Sequence, residues 1–372
     1  MRIYLDFNAS TPVAPEVVEA MRPFLTDHFG NPSSQHWAGR PARQALEHAR
    51  SQVADLLHSQ PAEVVFTSGG SEADNHAIKG AWFARRDGRD HIVTTAIEHP
   101  AVLEPCRFLQ RLGARLTVLP VDRTGLVDPE AVREAVTSQT LLITVMHANN
   151  EVGTVQPIAE IAAIARERGV LMHTDAAQTV GKIRTDVHEL GVDLLTVAGH
   201  KLHAPKGVGA LYIRDGVALE PLVHGAGHEE GRRAGTENVL LDVGLGAACE
   251  LARAHLGMPY VRELRDYLWQ RLRQAFGDRV VLNGHPRRRL PNTLNVSFLG
   301  QRGADLLAVL DDLAASTGAA CHAGEVEVSP VLQALGLEPE VALGAVRFSL
   351  GRTTTRRDID ALLALLRPFA RG

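Results

Sequence analysis

The sequence predicts an α/β protein: a seven-stranded, mainly parallel sheet in a large unit, followed by a smaller α+β unit. Three observations carry this expectation. Seven short Val/Leu/Ile-rich runs lie between residues 64 and 214, and most are separated by helical patterns. Near residue 255 the pattern changes, and a long amphipathic stretch leads into shorter strands mixed with helices. Buried strands joined by helical crossovers form parallel sheets covered on both faces.

Taken in order, residues 1–15 are short and turn-rich, with Pro12 and Pro15, and read as an arm or edge segment. A loop follows at 30–34, after which Pro41 can open a helix. Leu46, Ala49, Val53, Leu56 and Leu57 then fall on one helical face. The strand candidates are 64–67, 92–96, 115–120, 141–146, 170–174, 194–197 and 209–214. Helical patterns occupy 72–86, 100–112 and 158–168 between them. Beyond residue 255 the expected elements are a helix at 260–276 and strands at 293–298 and 345–350. The expected division is a large domain over 16–254 and a small domain from 1–15 and 255–372.

Composition excludes several classes. Hydrophobic residues at 45% and charged residues at 22% are ordinary for a globular chain, and the net charge of −4 argues against a nucleic-acid surface or a polybasic membrane anchor. The one dense basic run, Arg287-Arg288-Arg289, reads as a solvated loop. No apolar stretch approaches the roughly 20 residues that span a bilayer. The N-terminus does not have the form of a signal peptide. Three cysteines, Cys106, Cys249 and Cys321, share no metal-type spacing and fit a reducing cytoplasm.

Chemistry collects where the strand candidates end. The run at 170–173 leads to Asp175, and the run at 194–197 leads to Gly199-His200-Lys201. In open α/β sheets the carboxyl edge is where ligands bind. A carboxylate and an amine at that edge suit a pyridine cofactor, the acid keeping the ring nitrogen protonated and the lysine making a Schiff base. Thr67-Ser68-Gly69-Gly70-Ser71-Glu72 opens a helix after a strand, and free N–H groups there suit a phosphate. Ile97-Glu98-His99, His147-Ala148-Asn149-Asn150-Glu151, and Asp175 with Gln178 end further strands. Each of these alone is as readily a structural turn as a site. Five polar clusters at successive carboxyl ends are harder to explain as loops.

Two segments differ in kind. His224 and His228 have zinc-compatible spacing, but Gly225 and Gly227 argue against the helix that would align them. The basic loop at 232–238 suits an anion or a subunit contact. Cys321 stands among small residues in a glycine-flanked segment, which predicts an exposed, mobile loop and a nucleophilic thiol. Cys106 and Cys249 have apolar neighbours and read as buried and inert.

In combination these residues resemble the cysteine desulfurases of the class-V aminotransferase group, and are also similar to selenocysteine lyase. The resemblance runs from Tyr4-Leu5-Asp6 to Ser349-Leu350-Gly351-Arg352, through TSGGSEADN, EHPAV, HANNEVGT, HTDAAQ, GHK, HGAGHEEGRRAGTEN, GAACHAG and VRFSLGR in order. It implies the fold-type-I architecture of pyridoxal-phosphate enzymes, cytoplasmic location and a homodimer. It implies that Lys201 forms the Schiff base, Asp175 pairs with the ring nitrogen, Gln178 bonds the ring hydroxyl and His99 stacks on the ring. Gly70, Ser71 and His200 would hold the phosphate, with Thr236 reaching it from the second subunit. Asn150 and Arg347 would bind the carboxylate region of L-cysteine, and Cys321 would accept sulfur for a downstream acceptor protein. Ala198 departs from the pattern, since many desulfurases have a phosphate-binding serine there, and GAACH resembles the lyase form of the loop. A selenocysteine lyase, a plain aminotransferase and a non-catalytic sulfur scaffold are the alternatives. The scaffold would have no reason to keep an amine opposite an acid.

Overall fold

The computed structural model describes residues 2–85, 87–317 and 328–370, with the backbone of 321–322 and 325–326. The chain opens with a two-residue strand β1 (Ile3–Tyr4). The large sheet then forms from β2 (Val64–Thr67), β3 (His91–Thr95), β4 (Arg115–Leu119), β5 (Thr140–Thr144), β6 (Leu171–Asp175), β7 (Leu194–Ala198) and β8 (Gly209–Ile213). All seven expected runs are strands, displaced by at most two residues at an end. The strand order is β2-β8-β7-β6-β5-β3-β4. Only β8 runs against the others, pairing antiparallel with both β7 and β2. The connection 199–208 is too short to hold a crossover helix, so β8 must return antiparallel. The carboxyl ends of the other six strands therefore share one edge.

Helices cover both faces. Gly39–Leu57 buries Leu46, Ala49, Val53 and Leu57 against a core that includes Val64, Ile143 and Leu195. Gly70–Ala84 and Pro100–Arg111 cover the opposite face, with Ala77, Ile78, Trp82, Val102 and Leu109 packed on Leu142, Leu194 and Leu211. The Gly70 helix starts two residues before the expected 72. Gly69, with φ of 149°, turns the chain so that Gly70 and Ser71 already belong to the first turn.

The C-terminal half adds β9 (Val280–Asn283), β10 (Thr293–Phe298), β11 (Leu313–Ala314), β12 (Ser316–Thr317), β13 (Cys321–His322), β14 (Glu325–Val326) and β15 (Ala345–Ser349). A four-stranded sheet has the order β12-β15-β10-β9, and β13 pairs with β14 as a hairpin. Helix Pro259–Phe276 lays Leu264, Leu268, Leu272 and Phe276 on this sheet against Val296, Phe298 and Phe348. Ile3 and Leu5 join the same cluster, and β1 pairs with β11. The N-terminal arm is thus an edge segment, as its turn-rich sequence suggests.

One reading is corrected. The run 287–289 is not wholly a solvated loop. Arg287 and Arg288 are exposed, but the Arg289 side chain is 4% exposed and lies 3.7 Å from Asp266. Leu290, which follows it, is fully buried and draws the chain inward.

Leu268 is fully buried at the centre of the small cluster. Leu268→Ala is expected to cost about 2–5 kcal/mol through lost transfer energy and the cavity left behind. A urea-unfolding midpoint unchanged from the parent protein would contradict this packing.

Candidate active site

The shared strand edge frames a cleft of about 380 Å³. Gly70, Ser71, His99, Asn150, Asp175, Gln178, His200, Lys201 and Arg347 line it. Nine of the eleven residues expected at the site are therefore gathered in one place. Thr236 is exposed and does not line the cleft of its own chain. The side chain of Cys321 lies outside the described residues.

Local sequence explains each placement. Asp175 ends β6, directly beside Thr196 of β7. Lys201 follows β7 in a tight 3-10 turn, Gly199–Lys201. A Cβ on Gly199 would come within 2.9 Å of the Val208 carbonyl oxygen, so the turn needs glycine. The arm then pins the turn: the Thr11 N–H and hydroxyl both donate to the His200 carbonyl, at 2.9 and 3.0 Å. His99 is the N-cap of helix Pro100–Arg111, its Nδ1 accepting from the Ala101 N–H at 3.1 Å. Accepting at Nδ1 places the proton of the neutral ring on Nε2.

Burial dominates the electrostatics of the cleft. Burial, the nearby Arg347 and incomplete compensation by Asp175 and Asp6 lower the Lys201 amine to about 8. Its Nζ donates to the Asn8 and Ala9 carbonyls at 2.7 and 2.9 Å. Burial raises Asp175, against the Ala177 N–H and the pull of His99 and Lys201. One of its oxygens accepts from Ala177 at 2.8 Å, while no donor bonds the other among the described residues. Burial, then Asp175, pushes Asp74 well above the usual carboxylate range. Asp74 Oδ1 is buried without a hydrogen-bond partner. Burial also lowers His99, and with neighbouring cations lowers His200 to about 4, so both rings are neutral near pH 7.

These features suit an aromatic ring nitrogen and a phosphate. An acid raised by burial and short of a donor calls for a protonated nitrogen. Helix Gly70–Ala84 has no side-chain cap at Gly69, so its first N–H groups are available to an anion. Backbones crowd closely there: a Cβ on Gly209 would meet Gly69 at 2.7 Å, and one on Gly70 would meet Ala198 Cβ at 3.1 Å. The residue where a serine was expected therefore abuts the first residue of the helix.

Arg347 is 7% exposed. It donates to the Asn150 carbonyl at 2.9 Å, to Asp6 at 2.7 Å and to Ser316 at 3.1 Å. Its Nε is buried with no partner. Asn149, beside it, is a turn residue: its Oδ1 accepts from the Glu151 and Val152 N–H groups at 2.9 Å. Cys106 and Cys249 are fully buried, and burial pushes both thiols up to about 12, as their apolar neighbours suggested.

Four residues of the site are not among those expected: Asp6, Asn8, Asp74 and Lys182. Asp74 carried a signal, being a charged residue on the buried face otherwise formed by Ala73, Ala77 and Ile78. Lys182 carried one too, since it falls four residues after Gln178. Asp6 and Asn8 carried none, because nothing local to the arm says that it crosses the cleft.

The comparisons agree with this geometry. The family model described as Aminotransferase class-V matches residues 3–362. The cysteine desulfurase IscS of Dictyoglomus turgidum is 48% identical over 98% of this chain and 93% of its own length. Among solved structures, a NifS-like protein superposes with a TM-score of 0.93 at 37% identity, covering 100% of both chains. A structure titled SspA in complex with cysteine gives 0.85 at 39% identity, over 94% of this chain and 98% of that one. With the family model spanning nearly the whole chain and relatives this similar over nearly their full length, the chain belongs to the class-V aminotransferases, within their cysteine desulfurase family.

Proposed function

We propose that this protein is a pyridoxal-phosphate-dependent cysteine desulfurase that converts L-cysteine to L-alanine and passes the sulfur, through Cys321, to an acceptor protein. One observation carries the reading: an amine lowered to about 8 and a buried acid short of a donor line the same cleft at the ends of adjacent parallel strands. A plain sulfur carrier has no use for that pair.

When bound, the cofactor supplies an electron sink for the pair released at the substrate Cα. The residues supply the rest. Asp175 holds a proton on the ring nitrogen, and Gln178 offers an N–H to the ring oxygen. His99, which lines the cleft, would pack against the ring. Gly70, Ser71 and His200 take the phosphate, and the exposed Thr236 serves the cleft of a second subunit in a homodimer. Asn150 and Arg347 orient the substrate carboxylate. Lys201, uncharged above about pH 8, accepts the Cα proton. Cys321 acts as a thiolate: a bond forms between its Sγ and the substrate sulfur, and the substrate Cβ–S bond breaks. The carbon keeps that electron pair, takes a proton and leaves as alanine, while Cys321 holds the persulfide. The backbone hairpin of β13 and β14 carries Cys321 close in sequence to β12, whose Ser316 bonds Arg347.

We assign residues 16–254 to a large domain and 1–15 with 255–372 to a small one. The separate clusters around the two main sheets support this, as does the packing of Ile3 and Leu5 in the second. Among the described residues no helix is long and apolar enough to cross a membrane. We assign the protein to the cytoplasm, the reducing setting in which its three cysteines are kept as thiols.

Three outcomes test the reading. Reductive methylation of Lys201 in the cofactor-free protein, followed by peptide mass spectrometry, should gain rate with pH and level off above about 8. A midpoint near the ordinary 10.5 would show that the amine is not depressed. Lys201→Ala should remove the visible absorption of the pyridoxal-phosphate-loaded protein. Cys321→Ser should keep that absorption but lose sulfide release from L-cysteine by at least about a hundredfold, the scale expected when a nucleophile is deleted. Undiminished sulfide release from that variant would sink the persulfide step.

A further inference from the structure

Lys182 is a buried ionisable group that the reaction leaves unused. It is 5% exposed and lies one helical turn's spacing beyond Gln178, after the turn at Thr179–Gly181. Its Nζ donates to Gln178 Oε1 at 2.8 Å and approaches Asn8 Oδ1 at 3.4 Å. Gln178 Nε2 donates in turn to the Asn8 carbonyl at 3.0 Å, the same oxygen that accepts from Lys201. Asn8 is itself fixed: its Nδ2 donates to the Asn150 carbonyl at 3.1 Å and to Thr293 Oγ1 at 2.8 Å, and its Oδ1 accepts from Asn292 Nδ2 at 3.0 Å.

We infer that Lys182 is a positioning residue, which locks the Gln178 side-chain amide so that it presents N–H, and never oxygen, to the cofactor cleft. An amide has a donor end and an acceptor end, and its partners decide which way it faces. Were Gln178 reversed, its oxygen would face the Asn8 carbonyl and its NH₂ would face the Lys182 amine. The two facing oxygens would then be mismatched in a buried place, where an unmet polar group is costly, and Lys182 would lose the acceptor to which it now donates. With the orientation fixed, one Nε2 hydrogen serves Asn8 and the second remains for the cleft that Gln178 lines. Whatever sits there must offer an acceptor oxygen. This rests on the reading that the cleft holds pyridoxal phosphate, whose ring oxygen is such an acceptor.

The surroundings weaken the basicity of this donor. Phe7, Leu202, Leu251 and Leu350 line a small cavity of about 50 Å³ that borders both Lys182 and Lys201. The charged groups that bear most on the amine are Lys201 and Arg347, both cations. His200 and His203 feel it from the neighbouring turn and are themselves lowered by burial. Burial first, then those two cations, lower the amine well below its ordinary range.

The test is a double-mutant cycle on the full-length protein, with pyridoxal phosphate as the probe. Its dissociation constant and the pH midpoint of the bound visible band would be measured for Lys182→Met, Gln178→Met and the pair. Lys182→Met should weaken binding about tenfold where Gln178 is present and less than about twofold in the Gln178→Met background, because a buried acceptor is left unmet only in the first case. It should also move the band's midpoint in the same direction as Gln178→Met, with no further shift in the pair. Lys182→Gln, which keeps an N–H donor, should recover binding to within about threefold, and it serves as the test if the methionine variant fails to fold. Equal losses in both backgrounds, an unmoved midpoint, or a glutamine variant as weak as the methionine one would overturn the inference while leaving the cofactor assignment standing. A parent protein that shows no visible band with pyridoxal phosphate would overturn the cofactor assignment itself, and this inference with it.

Discussion

The Asn8 carbonyl oxygen is the point on which the site depends. It accepts from Lys201 Nζ at 2.7 Å and from Gln178 Nε2 at 3.0 Å. Two side chains from successive loops of the large sheet are thereby referred to one atom of the N-terminal arm. The arm is fixed at the other end by Ser349, whose hydroxyl accepts from the Asn8 N–H at 2.9 Å, and by the pairing of β1 with β11. A cleft whose polar groups come from the large sheet is thus aligned by a segment that packs with the C-terminal sheet. Catalytic geometry needs such rigidity, because a side chain placed an ångström wrongly loses much of its effect.

Charge follows from the same enclosure. The cleft and the layer under it hold Asp74, Glu98 and Asp175, and burial raises all three. Glu98 reaches about 8 and sits against the Thr95 hydroxyl at 2.6 Å and the Met146 N–H at 3.0 Å. Each raised acid discourages ionisation of the next. Asp175 alone has His99 and Lys201 near enough to favour its charge. The arrangement concentrates ionisation on the one carboxyl that faces the cleft from a strand end, and leaves its neighbours as neutral supports.

Much of this was legible in the sequence, for a physical reason. Strand ends of a parallel sheet converge on one edge, so residues that terminate apolar runs can be placed together without knowing the fold in detail. Asp175, His99 and Lys201 are found that way. Asn8 and Asp6 are not, since their roles come from an arm whose contacts are with residues some 140 to 340 positions away. Arg289 misleads for a related reason: three arginines in a row look solvated, yet buried Leu290 forces one of them inward. Thr236 and Cys321 show the remaining limit: Thr236 does not line the cleft of its own chain, and the side chain of Cys321 lies outside the described residues.

Two lysines with lowered amines lie close together here, and their difference says how the chain selects between them. Burial is the largest influence on both Lys182 and Lys201. Lowered basicity therefore cannot be what marks the reactive amine. Direction does. Lys182 spends its hydrogens on Gln178 Oε1 and Asn8 Oδ1, side-chain acceptors behind the cleft. Lys201 spends its hydrogens on two backbone carbonyls at the cleft wall, beside Asp175 and His99. Of the two, only Lys201 lines the cleft in which the proposed cofactor would sit. Asp175 and Asp6 raise Lys201 partway back toward its ordinary basicity, whereas the main influences on Lys182 all lower it. The two buried lysines are thus distinguished by what each amine faces.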